Sequence, residues 1–211
     1  MKEKLLVTLA KKKRVLNFKF LSFYESVRGL DTMKYVDVDD LEFNKNVGYR
    51  YEWTSPKLIK RVLKDLHIKP SDSIIDVGSG KGKALISFSK FPFHQIAGLE
   101  LSKELVNISM RNMQILGLKN IEHYNENAVD FDHYDKFNYI YFYNPFPEPV
   151  FQLVLKKIIS SLKNRTVYII YKNPTCYRLL DESPFFSVYK KVYNTNIAFP
   201  GLDNIFIYKS V

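Results

Sequence analysis

The chain has 211 residues, of which 46% are apolar and 26% are charged, the balance of a globular protein with one sizeable core. This composition excludes a disordered or fibrous chain. The longest uninterrupted apolar runs, of about five residues, are far shorter than the roughly 20 residues that span a bilayer. The net charge is +10, and residues 1–20 hold seven basic residues against one acidic residue. A solvated helix face and a nucleic-acid-binding patch both fit that charge.

The sequence carries no sign of export, disulfide bonding or metal binding. Lys11–Arg14 interrupts the early leucines, so the start of the chain lacks the apolar segment of a secretory signal. Cys176 is the single cysteine, which excludes an internal disulfide and a cysteine-based zinc site. The four histidines lack the paired spacing of zinc ligands. We therefore expect a cytoplasmic protein without a metal ion or a membrane span.

The first predicted element is a long helix from about Glu3 to Arg28. Its apolar residues recur at steps of three, four and seven and form a helical stripe of Leu5, Leu9, Leu16, Phe20, Phe23 and Val27. Gly29 suits the left-handed position that ends a helix. Because such a stripe is suited to packing, we expect this helix to dock on the core with its basic residues turned outwards.

A second helix begins after an irregular acidic segment at residues 31–46. At Thr54-Ser55-Pro56 a hydroxyl cap precedes a proline in the first turn, and the helix runs to about Leu66. We assign residues 1–48 to an N-terminal helical extension and residues 49–211 to the main domain.

From Ser73 onwards, short apolar strands alternate with helices. The predicted strands cover residues 73–77, 95–100, 120–124, 137–143 and 166–171, and the predicted helices cover residues 82–90, 102–116 and 148–162. Two further strand-like runs, at residues 185–193 and 205–209, have no helix between them. The alternation predicts a doubly wound α/β sheet, and the ending predicts an antiparallel hairpin at one edge.

A glycine-rich turn connects the first strand of this series to its helix. It reads Asp76-Val77-Gly78-Ser79-Gly80-Lys81-Gly82-Lys83. The glycines permit a tight turn and let backbone N–H groups approach a ligand. A P-loop is excluded because Val77 and Ala84 stand where its glycine and its hydroxyl are required. A dinucleotide-binding fingerprint is disfavoured because Lys83 takes the place of its third glycine.

An acidic residue, Glu100, ends the second strand, 20 residues after Gly80. A carboxylate at this place can accept hydrogen bonds from both hydroxyls of a ribose that lies over the glycine loop. Alone, Glu100 would be interpreted as a surface residue that caps the next helix. Its pairing with the glycine loop at this separation favours ribose binding.

Together, the glycine loop and Glu100 resemble the class I S-adenosylmethionine-dependent methyltransferases. The resemblance covers about residues 50–210 and implies a Rossmann-like seven-stranded sheet with an antiparallel last strand. It also implies S-adenosylmethionine as cofactor and S-adenosylhomocysteine as product. The residues that it assigns to the methionine portion and the amino-acid end are Asp76, Gly78, Ser79, Gly80 and Gly82. It assigns the ribose to Glu100 with its neighbour Leu101.

Two further sites follow from the same resemblance. Asn127-Ala128 matches an Asp-Ala pair whose acid receives the adenine amine in this family, although Asn lacks the charge and also brings a donor. Asn144-Pro145-Phe146 resembles the [DNS]-P-P-[YF] motif of the amine-directed members, with Phe146 in place of the second proline. We expect the Asn144 and Pro145 carbonyls to accept amine N–H groups and Phe146 to stack on the acceptor. A structural interpretation, with Asn144 in a turn and Phe146 in the core, stays equally open.

The aromatic segment at residues 49–55 resembles one that folds over the cofactor in several members of the family. Tyr51 and Thr54 are the candidates for contacts with the methionine end.

Three functional hypotheses remain open on the sequence alone. The first is a methyltransferase for an amine of a protein or nucleic acid, and the second is a small-molecule methyltransferase with the N-terminal helix as a lid. The third is a catalytically silent cofactor-binding module, which the intact glycines and Glu100 disfavour. The methyl acceptor and the oligomeric state stay open.

Overall fold

The computed structural model describes residues 2–37, 48–193 and 203–211. Seven strands form one sheet: β1 (Ser73–Val77), β2 (Gln95–Leu99), β3 (Ile121–Tyr124), β4 (Tyr139–Tyr143), β5 (Tyr168–Lys172), β6 (Phe186–Val192) and β7 (Ile205–Ser210). Their spatial order is β3-β2-β1-β4-β5-β7-β6. The first five strands are parallel, while β7 runs antiparallel to both β5 and β6. The predicted fold class and the edge hairpin are therefore confirmed.

The helices that the structure describes are α1 (Lys2–Val27), α2 (Pro56–Lys64), α3 (Lys83–Phe88), α4 (Lys103–Ile115), α5 (Glu148–Ser160) and α6 (Tyr177–Asp181). The sequence predicts the first five, with ends within a few residues of the observed ones. It misses α6 and a 3-10 turn at Tyr134–Lys136, because elements this short carry too few residues for a periodic pattern. The predicted irregular segment at residues 31–46 extends partly outside the described residues. The domain boundary at residue 48 stays a prediction.

The core consists of two layers, one on each face of the sheet. Successive residues of a strand point to opposite faces. In β1, Ile75 and Val77 pack with α5, while Ile74 packs with α2 and α3. All five residues of β1 are buried, as expected for a parallel strand that is covered on both sides. The carboxyl ends of β1, β2 and β4 consequently meet at one edge of the sheet, where the predicted site residues lie.

Helix α1 ends as predicted but does not pack as predicted. Gly29 adopts φ +71°, and the N–H of Leu30 donates to the carbonyl of Glu25 at 2.9 Å. The large apolar side chains that the structure describes between Leu9 and Val27 are, however, 42–70% exposed. The expectation that the stripe docks on the core is wrong. The reason is that α1 is joined to the domain by polar contacts at its end, where buried Glu25 pairs with Lys83 and accepts from the Thr32 hydroxyl at 2.5 Å.

The segment after α1 crosses over the glycine loop and is fixed there by polar contacts. The buried ammonium of Lys81 pairs with Asp31 at 2.8 Å. The Asn112 amide nitrogen donates to the carbonyls of both Asp31 and Lys81, at 2.9 and 3.0 Å, and its oxygen accepts from the Asp31 N–H at 3.0 Å. Asn112 therefore ties three parts of the chain together: the N-terminal segment, the glycine loop and α4.

None of the helices in the described ranges combines the length and the apolar character of a bilayer span.

Replacement of Asn112 should lower stability, because Asn112→Ala leaves a buried carbonyl and a backbone N–H without their partners. We expect the free energy of unfolding to fall by about 1–3 kcal/mol in urea titrations. Asn107→Ala, on the exposed face of the same helix, is the matched control and should change stability by less than about 0.5 kcal/mol. Equal stabilities of the two variants would contradict the role of Asn112.

Candidate functional site

A cavity of about 640 Å³ opens at the carboxyl ends of the central strands. Its volume lies within the range of small-molecule sites, roughly 300–1,000 Å³. Ten of the predicted site residues line it: Tyr51, Gly78, Gly80, Glu100, Leu101, Asn127, Ala128, Asn144, Pro145 and Phe146. Thr54, Asp76 and Ser79 line a smaller adjacent cavity, which Tyr51 and Gly78 share. The structure thus brings most of the predicted residues together at one place.

The glycine loop and Glu100 form one hydrogen-bonded unit. The Glu100 carboxylate accepts from the Gly80 N–H and from the Ser102 N–H, both at 2.9 Å. Burial raises the pKa of Glu100, although these N–H groups oppose the shift. Each carboxylate oxygen keeps a further lone pair, so Glu100 can still accept hydrogen bonds from a ligand in the cavity.

Asp76 lies at the end of β1, buried beside Glu100. Among the described residues, none donates a hydrogen bond to its carboxylate. Burial, and then the charge of Glu100, raise the pKa of Asp76 well above its ordinary value. A buried carboxyl group without such a donor is costly unless a ligand supplies one. Asp76 therefore fits a place opposite a cationic or N–H-bearing group.

Gly82 does not face either cavity, in contrast to the expectation. Its φ is +80°, and a Cβ at this position would collide with Ser109 and would lie 2.6 Å from the Met113 Cε. Glycine is required here because α3 begins in close contact with α4. The predicted ligand contact at Gly82 is corrected to a packing contact between two helices.

The aromatic segment before α2 forms one wall of the cavity. The Tyr51 ring lies against the Gly80 backbone, where a Cβ would collide with it. Its hydroxyl donates to the Thr32 carbonyl at 2.7 Å. The N–H of Tyr49 donates to the Pro145 carbonyl at 2.8 Å. Thr54 is buried and shares a 2.8 Å hydrogen bond with the Tyr141 hydroxyl. The segment therefore spans the opening between the glycine loop and Pro145.

Asn144 lies at the end of β4 in a left-handed conformation, with φ +38°. Its side-chain oxygen accepts from the Tyr171 hydroxyl at 3.1 Å and from the Thr175 hydroxyl at 2.5 Å. The predicted acceptor atoms are thus engaged within the protein, since the Pro145 carbonyl also accepts from Tyr49. An incoming amine must share these oxygens or displace the rotatable Thr175 hydroxyl.

Phe146 belongs to the core as much as to the cavity. It is buried and packs edge-on against Phe142, with ring centroids 6.2 Å apart. The phenylalanines of β4 and α5 hold the ring, as the structural interpretation expects, and stacking of Phe146 on an acceptor stays a prediction. Tyr49 and Tyr143 line the same cavity and are more exposed. They are the aromatic residues that can reach a planar acceptor.

Asn127 lines the cavity, and its side-chain oxygen already accepts a hydrogen bond from within the protein. Its side-chain oxygen accepts from the Val129 N–H at 3.2 Å, in a turn of the chain. The side-chain amide nitrogen of Asn127 is then the group that can donate to a ligand in the cavity. The family commonly has an acid, a hydrogen-bond acceptor, at this position. Asn127 therefore changes the group that is offered to a ligand from an acceptor towards a donor.

Sequence reasoning missed a cluster at the carboxyl ends of β4 and β5. The Tyr143 hydroxyl donates to Glu52 at 2.7 Å. The buried ammonium of Lys172 lies 3.4 Å from the centroid of the Tyr143 ring and 3.0 Å from Asp203. Asn173 also lines the cavity. The rule that ligands bind at the carboxyl ends of parallel strands would have indicated Lys172 and Asn173.

The polar groups that line the two cavities fit S-adenosylmethionine. Gly78 is exposed at the cavity and packs closely against the end of β4, since a Cβ on Gly78 would lie 2.6 Å from the Pro145 Cβ. Asp76 offers a carboxylate to an ammonium group, and Glu100 offers one to two hydroxyls. No group of three or more potential metal ligands occurs in the described parts of the chain.

The strand order, the glycine loop and the acid after β2 define a Rossmann-like methyltransferase fold. Solved structures agree with this class. The O-methyltransferase from Bacillus cereus is 16% identical with a TM-score of 0.58, over 75% of this chain and 82% of that one. The dimethyladenosine transferase from Plasmodium falciparum is 17% identical with a TM-score of 0.56, over 76% of this chain and 63% of that one.

Within this class, the chain belongs to the ribosomal RNA adenine dimethylase family, whose model matches residues 40–192. It is similar to the rRNA adenine N-6-methyltransferases of Enterococcus faecalis, at 25% identity over 139 residues, and of Clostridium perfringens, at 23% over 139 residues. The match covers 65% of this chain and 55% of each relative. The chain thus spans about half the length of the curated relatives it matches. The predicted resemblance to class I methyltransferases is confirmed.

The conformation of Asn144 leads to a prediction about stability. Asn144→Ala should lower the free energy of unfolding by about 1–3 kcal/mol, because alanine is strained at this φ and the Tyr171 and Thr175 hydroxyls lose their acceptor. Asn144→Gly loses the same acceptor without the strain and should be less destabilising. Urea titrations of both variants check this. If Asn144→Ala were no more destabilising than Asn144→Gly, the left-handed backbone conformation would not cost stability at this position.

Proposed function

We propose that this chain is an S-adenosylmethionine-dependent methyltransferase that acts on the N6 amine of an adenine in ribosomal RNA. The observation that carries the proposal is the family match over residues 40–192, which includes the glycine loop, Glu100 and Asn144-Pro145-Phe146. The similarity to the rRNA adenine N-6-methyltransferases of Clostridium perfringens and Enterococcus faecalis supports the same acceptor. A ribosomal acceptor also supports the predicted cytoplasmic location.

The cofactor has a place along the glycine loop. In this proposal, Gly78 and Gly80 allow the methionine portion to lie against the backbone, and Asp76 accepts from its ammonium group. Glu100 accepts from the two ribose hydroxyls, and Asn127 and Ala128 flank the adenine. S-adenosylhomocysteine in the B. cereus structure supports a ligand of this kind in the fold. When bound, the cofactor supplies an electrophilic methyl group, so the protein needs chiefly to align the reactants and exclude water.

The acceptor has a place between Asn144 and the cofactor. The carbonyls of Asn144 and Pro145 accept the two N–H groups of the adenine amine, which turns the nitrogen lone pair towards the methyl group. The N–C bond forms as the C–S bond breaks, and the amine then loses one proton to water. Tyr49 and Tyr143 are the aromatic residues that stack on the base. Because Tyr49 donates to the Pro145 carbonyl, the amine shares this oxygen by bonding to its second lone pair.

The proposal is tested by transfer of labelled methyl groups from S-adenosylmethionine to ribosomal RNA, ribosomal subunits, total protein and a metabolite extract. Label in RNA, recovered as N6-methyladenosine or N6,N6-dimethyladenosine after digestion to nucleosides, supports it. Asn144→Ala should reduce the rate by about two orders of magnitude and leave affinity for S-adenosylhomocysteine within a few-fold. Label confined to protein or to metabolites would overturn the RNA acceptor.

Binding of S-adenosylhomocysteine should depend on the charge of Glu100. Glu100→Gln should weaken binding by about 1.5–3 kcal/mol, roughly 10- to 100-fold, because a neutral amide is a poorer acceptor for two hydroxyls. Calorimetry checks this, with Glu104→Gln in the exposed first turn of α4 as the matched control. If both variants bound like the unmodified protein, Glu100 would not belong to the site.

The same measurement has an expected pH dependence. Burial raises the pKa of Glu100, so its carboxylate takes up a proton at a higher pH than an ordinary glutamate does. Affinity should therefore fall as the pH is lowered, and the fall should begin at a higher pH than the titration range of an ordinary glutamate, since the ionised form is the better acceptor. Glu100→Gln should flatten this profile, and the slope that remains reports Asp76, whose pKa is also raised.

A second candidate acceptor is a basic amine of a protein or small molecule. The observation in its favour is the charge of the cavity wall. Among the described residues that line it, four are acidic and one is basic: Asp37, Glu52, Glu100 and Glu126 against Arg50. A wall of this charge attracts a cationic amine and repels phosphate. The protein and metabolite arms of the labelling experiment distinguish this candidate from RNA.

A further inference from the structure

Helix α2 presents a basic face to solvent. Its sequence contains four basic residues and no acidic residue. The basic residues recur at i, i+3, i+4 and i+7, a spacing that places them on one side of a helix. All four are exposed, whereas Ile59, Val62 and Leu63 on the opposite side are buried in the core. We call this set the α2 basic face: Lys57, Lys60, Arg61 and Lys64.

The charges of the α2 basic face are not used within the described parts of the chain. None of its four side chains forms an ion pair or a hydrogen bond there. Asp65, the residue after α2, pairs instead with Lys190 of β6 at 2.6 Å. The next residue of β6, Lys191, is also paired, with Asp181 at 2.7 Å. The lysines of β6 thus have partners in the fold, while the cations of α2 face solvent.

The stability of α2 does not explain its basic face. Two pairs of like charges, Lys57 with Arg61 and Lys60 with Lys64, stand four residues apart, and such pairs destabilise a helix. Lys57 also lies in the first turn, where the helix dipole disfavours a cation. The dipole favours cations in the last turn alone, at Arg61 and Lys64. A charged face that weakens its own helix indicates a role in binding.

Helix α2 begins at the rim of the candidate site. Trp53 and Thr54, just before the helix, line the smaller cavity together with Asp76. The hydrogen bond between Thr54 and the Tyr141 hydroxyl ties this start of the helix to β4. At 1.5 Å per residue, the α2 basic face extends for about 10 Å from Lys57 near the rim. It therefore lies on the outer surface next to the cavity.

We propose that the α2 basic face binds the phosphate backbone of the RNA strand that presents the acceptor adenine. This inference rests on the proposed function. Among the described residues that line the main cavity, acidic residues outnumber basic ones, so the cavity repels phosphate but admits a neutral base. An enzyme that acts on a base takes it out of the stack, which leaves the flanking phosphates at the rim. Cations beside the rim are the groups that hold them.

The contacts of this face are electrostatic and independent of sequence. Lysine and arginine bind phosphate oxygens, which position a nucleic acid without reading its bases. Each phosphate that is neutralised releases a counterion, so binding through the α2 basic face weakens steeply as salt is added. Salt dependence is therefore the property that distinguishes this surface from the cavity.

The binding test measures the anisotropy of a fluorescein-labelled single-stranded RNA of about 20 nucleotides, from about 50 to 200 mM salt. The fourfold variant combines Lys57→Gln, Lys60→Gln, Arg61→Gln and Lys64→Gln. Its slope of log Kd against log salt should be smaller by about 3, at roughly 0.7 for each phosphate of a single strand. Its affinity for S-adenosylhomocysteine, measured by calorimetry, should be unchanged, which also shows that the variant is folded.

The matched control removes the same charge elsewhere on the surface. It replaces three lysines and one arginine that are also exposed: Lys103→Gln, Arg111→Gln, Lys119→Gln and Lys156→Gln. The net charge of the control equals that of the fourfold variant, so a difference between the two reports the position of the charges. The control should keep the slope of the unmodified chain. A triple variant with Lys57→Arg, Lys60→Arg and Lys64→Arg should keep it as well, since the charges remain.

A double variant separates binding from helix stability. Lys57→Gln with Lys60→Gln removes both like-charge pairs and the cation of the first turn, so the melting temperature should rise. The same variant should lower the salt slope by about 1.4, half the effect of the fourfold variant. A lower melting temperature would show that these lysines serve the helix, and it would overturn the assignment of the face to a partner.

Methyl transfer to ribosomal RNA distinguishes a failure of this inference from a failure of the proposed function. With labelled S-adenosylmethionine, the fourfold variant should raise KM for RNA at least tenfold and leave kcat within a few-fold. Methylation of RNA with equal KM in the fourfold variant and the control would overturn the surface and leave the function standing. RNA binding that depends on the α2 basic face, with label only in protein, would do the reverse. Binding of this face to anionic lipid vesicles and not to RNA would overturn the RNA partner.

Discussion

The candidate site depends on one buried carboxylate. Glu100 accepts hydrogen bonds from Gly80 and Ser102, and in this way it joins the turn after β1 to the start of α4. Without that acceptor, two backbone N–H groups in a buried turn would lack a partner, which is a costly condition. The close approach of the Tyr51 ring to Gly80 is possible because the turn is held in this shape. The same carboxylate therefore supports both the loop and the wall that faces it.

Local chemistry explains what the sequence could predict. Glycines that need positive φ, a proline in the first turn of a helix and short runs of buried residues act within a few neighbouring residues, although Ser55 makes no side-chain cap hydrogen bond. Such signals are visible in the chain itself. The glycine loop, the position of Glu100 and the positions of the strands along the chain were predictable for this reason. Gly82 was the exception, because its true neighbours are Ser109 and Met113 on another helix.

What could not be predicted depends on residues that are distant in sequence. Tyr171 and Thr175 occupy the oxygen of Asn144 from 27 and 31 residues away. Phe146 is fixed by the packing of β4 and α5, which no motif records. The exposure of the apolar stripe of α1 could not be predicted either. The pattern of the stripe predicts a packed helix but contains no information on which surface covers it. The family match starts at residue 40, so it covers none of α1.

The contacts of the N-terminal segment have a consequence for the order of events during synthesis. Asp31 binds Lys81 and Asn112, which lie 50 and 81 residues further along the chain. The segment around Asp31 is therefore synthesised well before the residues that hold it in position. Until α4 has been made, the segment over the glycine loop lacks its hydrogen bonds to Asn112. The glycine loop is therefore synthesised before the segment that covers it can be fixed, and its cover is completed only after α4 has formed.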